Sequence, residues 1–177
     1  MAQHPEKPIR ILITGGTIDK DYNKLAGQLV LGKTHLQDIL EQARCRVPVR
    51  VEQLMLVDSL EMTEENRQTV LQRCIDAPEE RIIVTHGTDT MVETARLLGG
   101  NALEKTIALV GAMIPYTFGR SDALFNLGCA FSTVQVMGHG VYITMNGRIF
   151  YWDNVRKNTS IGDFELLEDP GTHDKER

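Results

Sequence analysis

Short apolar runs rich in β-branched residues recur along this chain, and helix signals separate them. The runs are IRILIT (Ile9 to Thr14), PVRVEQLML (Pro48 to Leu56), RIIVTHG (Arg81 to Gly87), TIALVG (Thr106 to Gly111) and GVYITM (Gly140 to Met145). All but the second are nearly continuous in apolar character, the pattern of parallel strands covered on both faces. Between them, Thr34-His-Leu-Gln37 has a capping-box pattern and opens HLQDILEQARC, while Thr63 with Glu64 and Glu65 opens EENRQTVLQRCIDA. Thr90-Met-Val-Glu93 opens MVETARLL, which the Gly99-Gly100-Asn101 step stops. A further helical period runs from about Ser121 to Met137, with Leu124, Leu127, Gly128 and Phe131 on one face. Strand alternating with helix predicts an α/β fold, a doubly wound and mostly parallel sheet with helices on both faces, three layers in a single domain. After Asn146-Gly147, a hairpin-turn dipeptide, RIFYWDN is expected to return as a short antiparallel edge strand.

A chain of 177 residues holds one well-cored domain of this kind and is too short for two of ordinary size. Its 42% hydrophobic and 24% charged residues match a globular protein and exclude a disordered one. No apolar run reaches membrane-spanning length, and MAQHPEKPIR lacks the apolar core of a signal peptide, so a cytoplasmic location is expected. Net charge is −5 and the 19 basic residues are scattered, which argues against nucleic acid or a membrane surface as partner and for a small molecule. Cys45, Cys74 and Cys129 fit no metal or redox spacing and read as free thiols.

In an open α/β sheet, ligands bind beyond the carboxyl ends of the strands, near the point where strand order reverses. The residues there are TGGT (14–17), VDSLE (57–61), THGTDT (85–90) and GAMIP (111–115), so Thr17, Ser59, Thr88 and Asp89 converge on one rim. Each has a structural explanation too. Gly15-Gly16 suits any tight strand-to-helix turn, and Thr88, Asp89 and Thr90 are all helix-cap residue types. A threonine flanked by glycines nevertheless suits acyl transfer, because glycine lets a substrate carbonyl approach the backbone and the hydroxyl supplies a nucleophile. Spacing alone supplies no base. Strand alternation turns His86 away from its neighbours, which makes it a packing residue. Neither G-x-G-x-x-G nor a P-loop lysine follows the first strand, so TGGT does not read as a nucleotide site.

ITGGTI (Ile13 to Ile18) and VTHGTDTMVETA (Val84 to Ala95) resemble the two signatures of the L-asparaginase family of threonine amidohydrolases. Gly111-Ala-Met-Ile-Pro115 looks like the family's GAM-x-P step, DSLEMT (Asp58 to Thr63) resembles its loop-serine step, and DNVRKNTS (Asp153 to Ser160) is similar to its lysine segment. The matches keep the family's order and span most of the chain. The resemblance implies that Thr17 is the nucleophile and that Thr88, Asp89 and Lys157 form a second-threonine triad in which Lys157 is the base. It implies that Ser59 holds the substrate α-carboxylate and Asp89 its α-ammonium. Gly16, Asp58, Leu60, Gly87, Ala112 and Met113 complete the implied substrate contacts, with Leu60 standing where longer members carry glutamine. The polar stretch after Thr17 resembles the family's mobile lid, with Tyr22 as its tyrosine and Gly27 and Gly32 as hinges.

The expected activity is hydrolysis of L-asparagine to L-aspartate and ammonia, without metal or cofactor. The alternatives are glutamine or another small amide as substrate, and a non-catalytic amino-acid sensor on the same fold. Residues 1–168 would form the catalytic domain, as in a short branch of the family, and 169–177 a frayed polar tail. A site without the longer members' second domain would be shielded by a homo-dimer or tetramer, with the apolar IFYW (Ile149 to Trp152) as a candidate contact.

Overall fold

A computed structural model describes residues 7–167; the expected tail at 169–177 lies outside them. The chain begins with β1 (Ile9–Gly15), a 3-10 turn (Thr17–Asp19), β2 (Lys20–Asn23), β3 (Gln28–Leu31), α1 (Leu36–Gln42) and β4 (Val49–Val57). A second 3-10 turn (Ser59–Glu61) leads to α2 (Glu64–Asp76), β5 (Arg81–Thr85), α3 (Met91–Gly100) and β6 (Thr106–Val110). A third turn (Tyr116–Phe118) precedes α4 (Ala123–Val136), β7 (Gly140–Met145), β8 (Arg148–Tyr151), β9 (Arg156–Asn158) and β10 (Asp163–Glu165).

The main sheet has the order β4-β1-β5-β6-β7-β8, parallel except for β8. The fold is therefore the doubly wound sheet that strand–helix alternation predicts, with the antiparallel return after Asn146-Gly147 in place. Because β1 pairs with β4 on one side and β5 on the other, strand order reverses at the carboxyl ends of β1 and β5. Alternation along β1 sends Ile9, Ile11 and Ile13 to the layer of α1 and α4, and Leu12 to the layer of α2 and α3. His86, just past β5, is fully buried, as its register implies. All three cysteines are free, and burial pushes the Cys74 thiol up to about 12, which leaves it inert.

Several local expectations are corrected. Among the expected caps only Thr63 makes a capping box, with Asn66 as its partner. Thr34 instead donates to Asp19 Oδ1 (3.0 Å), and His35 N donates to the same oxygen (2.9 Å), so a carboxylate from a distant segment serves the start of α1. Thr90 donates to Ser59 O at 2.7 Å, tying α3 to the neighbouring loop. The helix α3 runs through Gly99 and Gly100 to Asn101; Gly99 is needed because a Cβ there would collide with the Trp152 indole. IFYW is no continuous patch: Phe150 is buried and Trp152 packs on Gly99, leaving Ile149 and Tyr151 outside. The stretch after Thr17 is not structureless. It is the antiparallel hairpin β2–β3, closed by Asn23 Oδ1 accepting from Leu25 N and Ala26 N, with Gly27 in its turn and Gly32 just past β3.

Candidate active site

At the reversal point the first two glycine-threonine steps lie against each other. Gly16 has φ 89°, and any Cβ on it would strike the main chain of Gly87 and His86. Gly87 in turn sits so close over Ser59 that a Cβ would overlap its side chain. Glycine is required at both positions by contact, and the abutting backbones bring Thr17 and Thr88 to the same rim. Thr17 is half-buried and its hydroxyl has no hydrogen-bond partner among the described residues, whereas Thr88 is 5% exposed.

Lys157 reaches this rim from β9. Its Nζ donates to Thr88 Oγ1 at 2.8 Å and to Asp89 Oδ1 at 2.5 Å. The ribbon that carries it is held from below, since its register partner Phe164 on β10 is fully buried against Phe150, and Val155 just before β9 is buried as well. A long cation is thus fixed by its base, and its side chain is only 12% exposed. Asp89 keeps 41% of its side chain open, so a carboxylate edge still faces solvent beside the lysine.

Ser59 is 2% exposed; its hydroxyl accepts from Asp89 N at 3.3 Å. In this arrangement it orients the Asp89 main chain and presents almost no surface of its own. Leu60, by contrast, is 75% exposed on the outer side of the same turn. Asp58 caps that turn by accepting from Leu60 N (3.0 Å) and forms an ion pair with Lys20 Nζ at 2.5 Å. The Lys20 ammonium is the chief reason the Asp58 carboxyl is held below its ordinary range. Ala112 is buried, and Met113 N is committed to both Asp122 oxygens at 3.0 Å. Tyr22 is 54% exposed on β2 opposite Leu29, and no hydrogen bond among the described residues joins it to the rim.

His86 lies directly beneath. Its Nδ1 faces Gly87 O at 2.7 Å and its Nε2 faces Thr94 Oγ1 at 2.7 Å. A carbonyl can only accept, so Nδ1 carries the proton and Nε2 accepts from the threonine. Burial first of all lowers its pKa to about 4, leaving a neutral ring that fixes the Gly87 carbonyl and hence the peptide leading into Thr88. Among the described residues no cluster of three or more His, Cys, Asp or Glu side chains is arranged to hold a metal, and no helix is long and apolar enough to cross a membrane.

Two participants escape sequence reading. Lys20 sits in the polar stretch after Thr17, where neither KDYN nor QLVL alternates apolar with polar and so gives no strand signal. Asp122 follows Ser121 as a cap-type pair before α4, yet its carboxylate serves the Met113 and Ile114 amides and the Asn126 side chain, and no main-chain N–H of its own helix.

Residues 8–167 match the family model described as asparaginase, N-terminal. The chain is 33% identical over 173 residues to the glutaminase-asparaginase of Pseudomonas fluorescens biotype A, covering 85% of this chain and 45% of that protein. It is 30% identical over 163 residues to L-asparaginase 2 of Escherichia coli K12, covering 86% and 47%. The structure of the thermostable L-asparaginase from Thermococcus kodakarensis superimposes with a TM-score of 0.80 at 27% identity, covering 92% of this chain and 52% of that one. The chain spans about half the length of the relatives it matches.

Proposed function

The chain belongs to the asparaginase family, and on that premise we propose that it is an amidohydrolase converting L-asparagine to L-aspartate and ammonia. The observation that carries the reading is Lys157 Nζ bridging Thr88 Oγ1 and Asp89 Oδ1 on the rim that also holds Thr17. A group within hydrogen-bond reach of both oxygens can take a hydroxyl proton and pass it on, which is the geometric requirement for general-base work. In this reading Thr17 Oγ attacks the side-chain carbonyl carbon. The C–N bond breaks, the nitrogen takes a proton and leaves as ammonia, and an ester to Thr17 remains. Water activated by the Thr88–Lys157–Asp89 group then cleaves the ester, and its proton returns to the Thr17 oxygen. Main-chain N–H groups at the Gly16–Thr17 turn are suited to stabilise the developing oxyanion. The open edge of Asp89 is suited to a substrate ammonium.

Glutamine is a second reading, favoured by the double name of the Pseudomonas relative. The two substrates differ by one methylene, worth about 1–3 kcal/mol in a pocket. We place the activity in the cytoplasm and in residues 1–168. The decisive test is ammonia release from asparagine, glutamine and simple acyl amides. Release from asparagine supports the reading; tight binding of asparagine without release would make the protein a sensor.

A further inference from the structure

A continuous line of polar contacts runs from the hairpin to the candidate base. Lys20 opens β2; its N–H donates to Thr17 O, its carbonyl accepts from Thr117 Oγ1 at 3.2 Å, and its Nζ pairs with Asp58 Oδ2 at 2.5 Å. The same Asp58 carboxylate accepts from Leu60 N through its other oxygen and so closes the turn that carries Ser59. Ser59 Oγ accepts from Asp89 N, Ser59 O accepts from Thr90 Oγ1, and Asp89 Oδ1 pairs with Lys157. The Lys20 side chain is 20% exposed and that of Asp58 26%, so the pair is partly shielded from water and its geometry is fixed from both ends.

We propose that Lys20 is a positioning residue: through Asp58 and the Ser59 turn, the hairpin's ammonium holds Asp89, and with it Lys157 and Thr88, in the arrangement that proton transfer requires. This rests on the amidohydrolase reading. Without the cation, Asp58 would carry an uncompensated, half-buried charge and the turn would lose one of its two fixed corners. Asp89 N would then lose the orientation of its acceptor. The hairpin is therefore part of the catalytic floor as well as its cover, because the segment that follows Thr17 in sequence also grips the loop that supports Thr88.

The experiment compares Lys20→Met, Lys20→Arg, Asp58→Asn and the Lys20→Met, Asp58→Asn double variant in two measurements on the full chain. The first is asparagine turnover with kcat separated from KM. Lys20→Met should lower kcat about 10–100-fold with KM nearly unchanged, as a small misplacement of reacting groups does. Lys20→Arg should recover most of the loss. The double variant should be scarcely worse than either single one, because the two residues act as a unit. The second is amide hydrogen exchange, which does not depend on activity. Leu60 N and Asp89 N, the two main-chain donors between Asp58 and Asp89, should exchange faster by about tenfold in Lys20→Met, although neither belongs to the hairpin. Unchanged exchange at those two amides, or an unchanged kcat with faster exchange confined to residues 20–31, would overturn the proposal. If the wild type released no ammonia, the same exchange response would still support the Lys20 link while the enzymatic reading fell.

Discussion

Lys157 donates to two oxygens at once, and most of the chemistry assigned to this rim depends on that geometry. Lys157→Met keeps the length of the stem and removes the nitrogen, so turnover of asparagine should fall about 10²–10⁴-fold while the fold persists. Thr17→Val keeps the shape and removes the hydroxyl, and should lower turnover by several powers of ten. Steady-state ammonia release with circular dichroism as a folding control checks both, and two variants near wild-type activity would refute the assignment. These residues were legible in sequence because GGT, THGTDT and VRKN are contiguous strings. Lys20 and its pairing with Asp58 were not, since an ion pair between separate segments leaves no local period. The capping boxes expected at Thr34 and Thr90 do not form for a related reason: both hydroxyls donate to tertiary partners, Asp19 and Ser59 O, although Thr34 Oγ1 also accepts from Leu36 N at 3.2 Å.

Among the segments, the hairpin β2–β3 departs most from sequence expectation. Its strands have four residues each, too short for a convincing alternation, and Asn23 closes a turn that no Asn-Gly step announces. It projects an exposed Leu25 at its tip and docks at its base through Thr117 and Asp58. Limited proteolysis of the free protein should therefore cut first near residues 24–27, and aspartate should slow the cutting if the hairpin closes over bound amino acid. Equal rates with and without aspartate would count against closure. The ribbon β9–β10 behaves differently because Phe164 is fully buried. Phe164→Ala should cost about 3–5 kcal/mol in urea unfolding and lower turnover as well, since the ribbon is what delivers Lys157. The main strands and α2 were readable because β-branched continuity and a complete cap box agree with their burial.

For the folded chain, pH enters through His86. Its pKa falls from 6.5 unfolded to about 4 folded, so the unfolded state binds the proton first as pH drops. The stabilisation is fully present above about 6.5 and is lost on descent toward 4, for a total of about 3 kcal/mol. Asp19 works the other way, because burial raises its carboxyl and protonation there favours the fold. Urea midpoints at pH 7 and pH 4.5 should separate more for the wild type than for His86→Gln. An identical separation would remove His86 as the cause. Association should follow from α4, which carries no charged residue from Ala123 to Val136 and exposes Phe125 and Val136 beside Ile149 on β8. We propose a homo-dimer or tetramer built on that face, and Phe125→Glu should move the mass toward monomer in light scattering; a wild type that is monomeric at micromolar concentration would exclude it. Lys157 lies 69 residues beyond its threonine partner, and the ribbon that seats it packs on strands already paired. On a ribosome, where the N-terminal part emerges first, the rim exists before its lysine does, so the proposed amide chemistry has to wait until β9 and β10 are laid down.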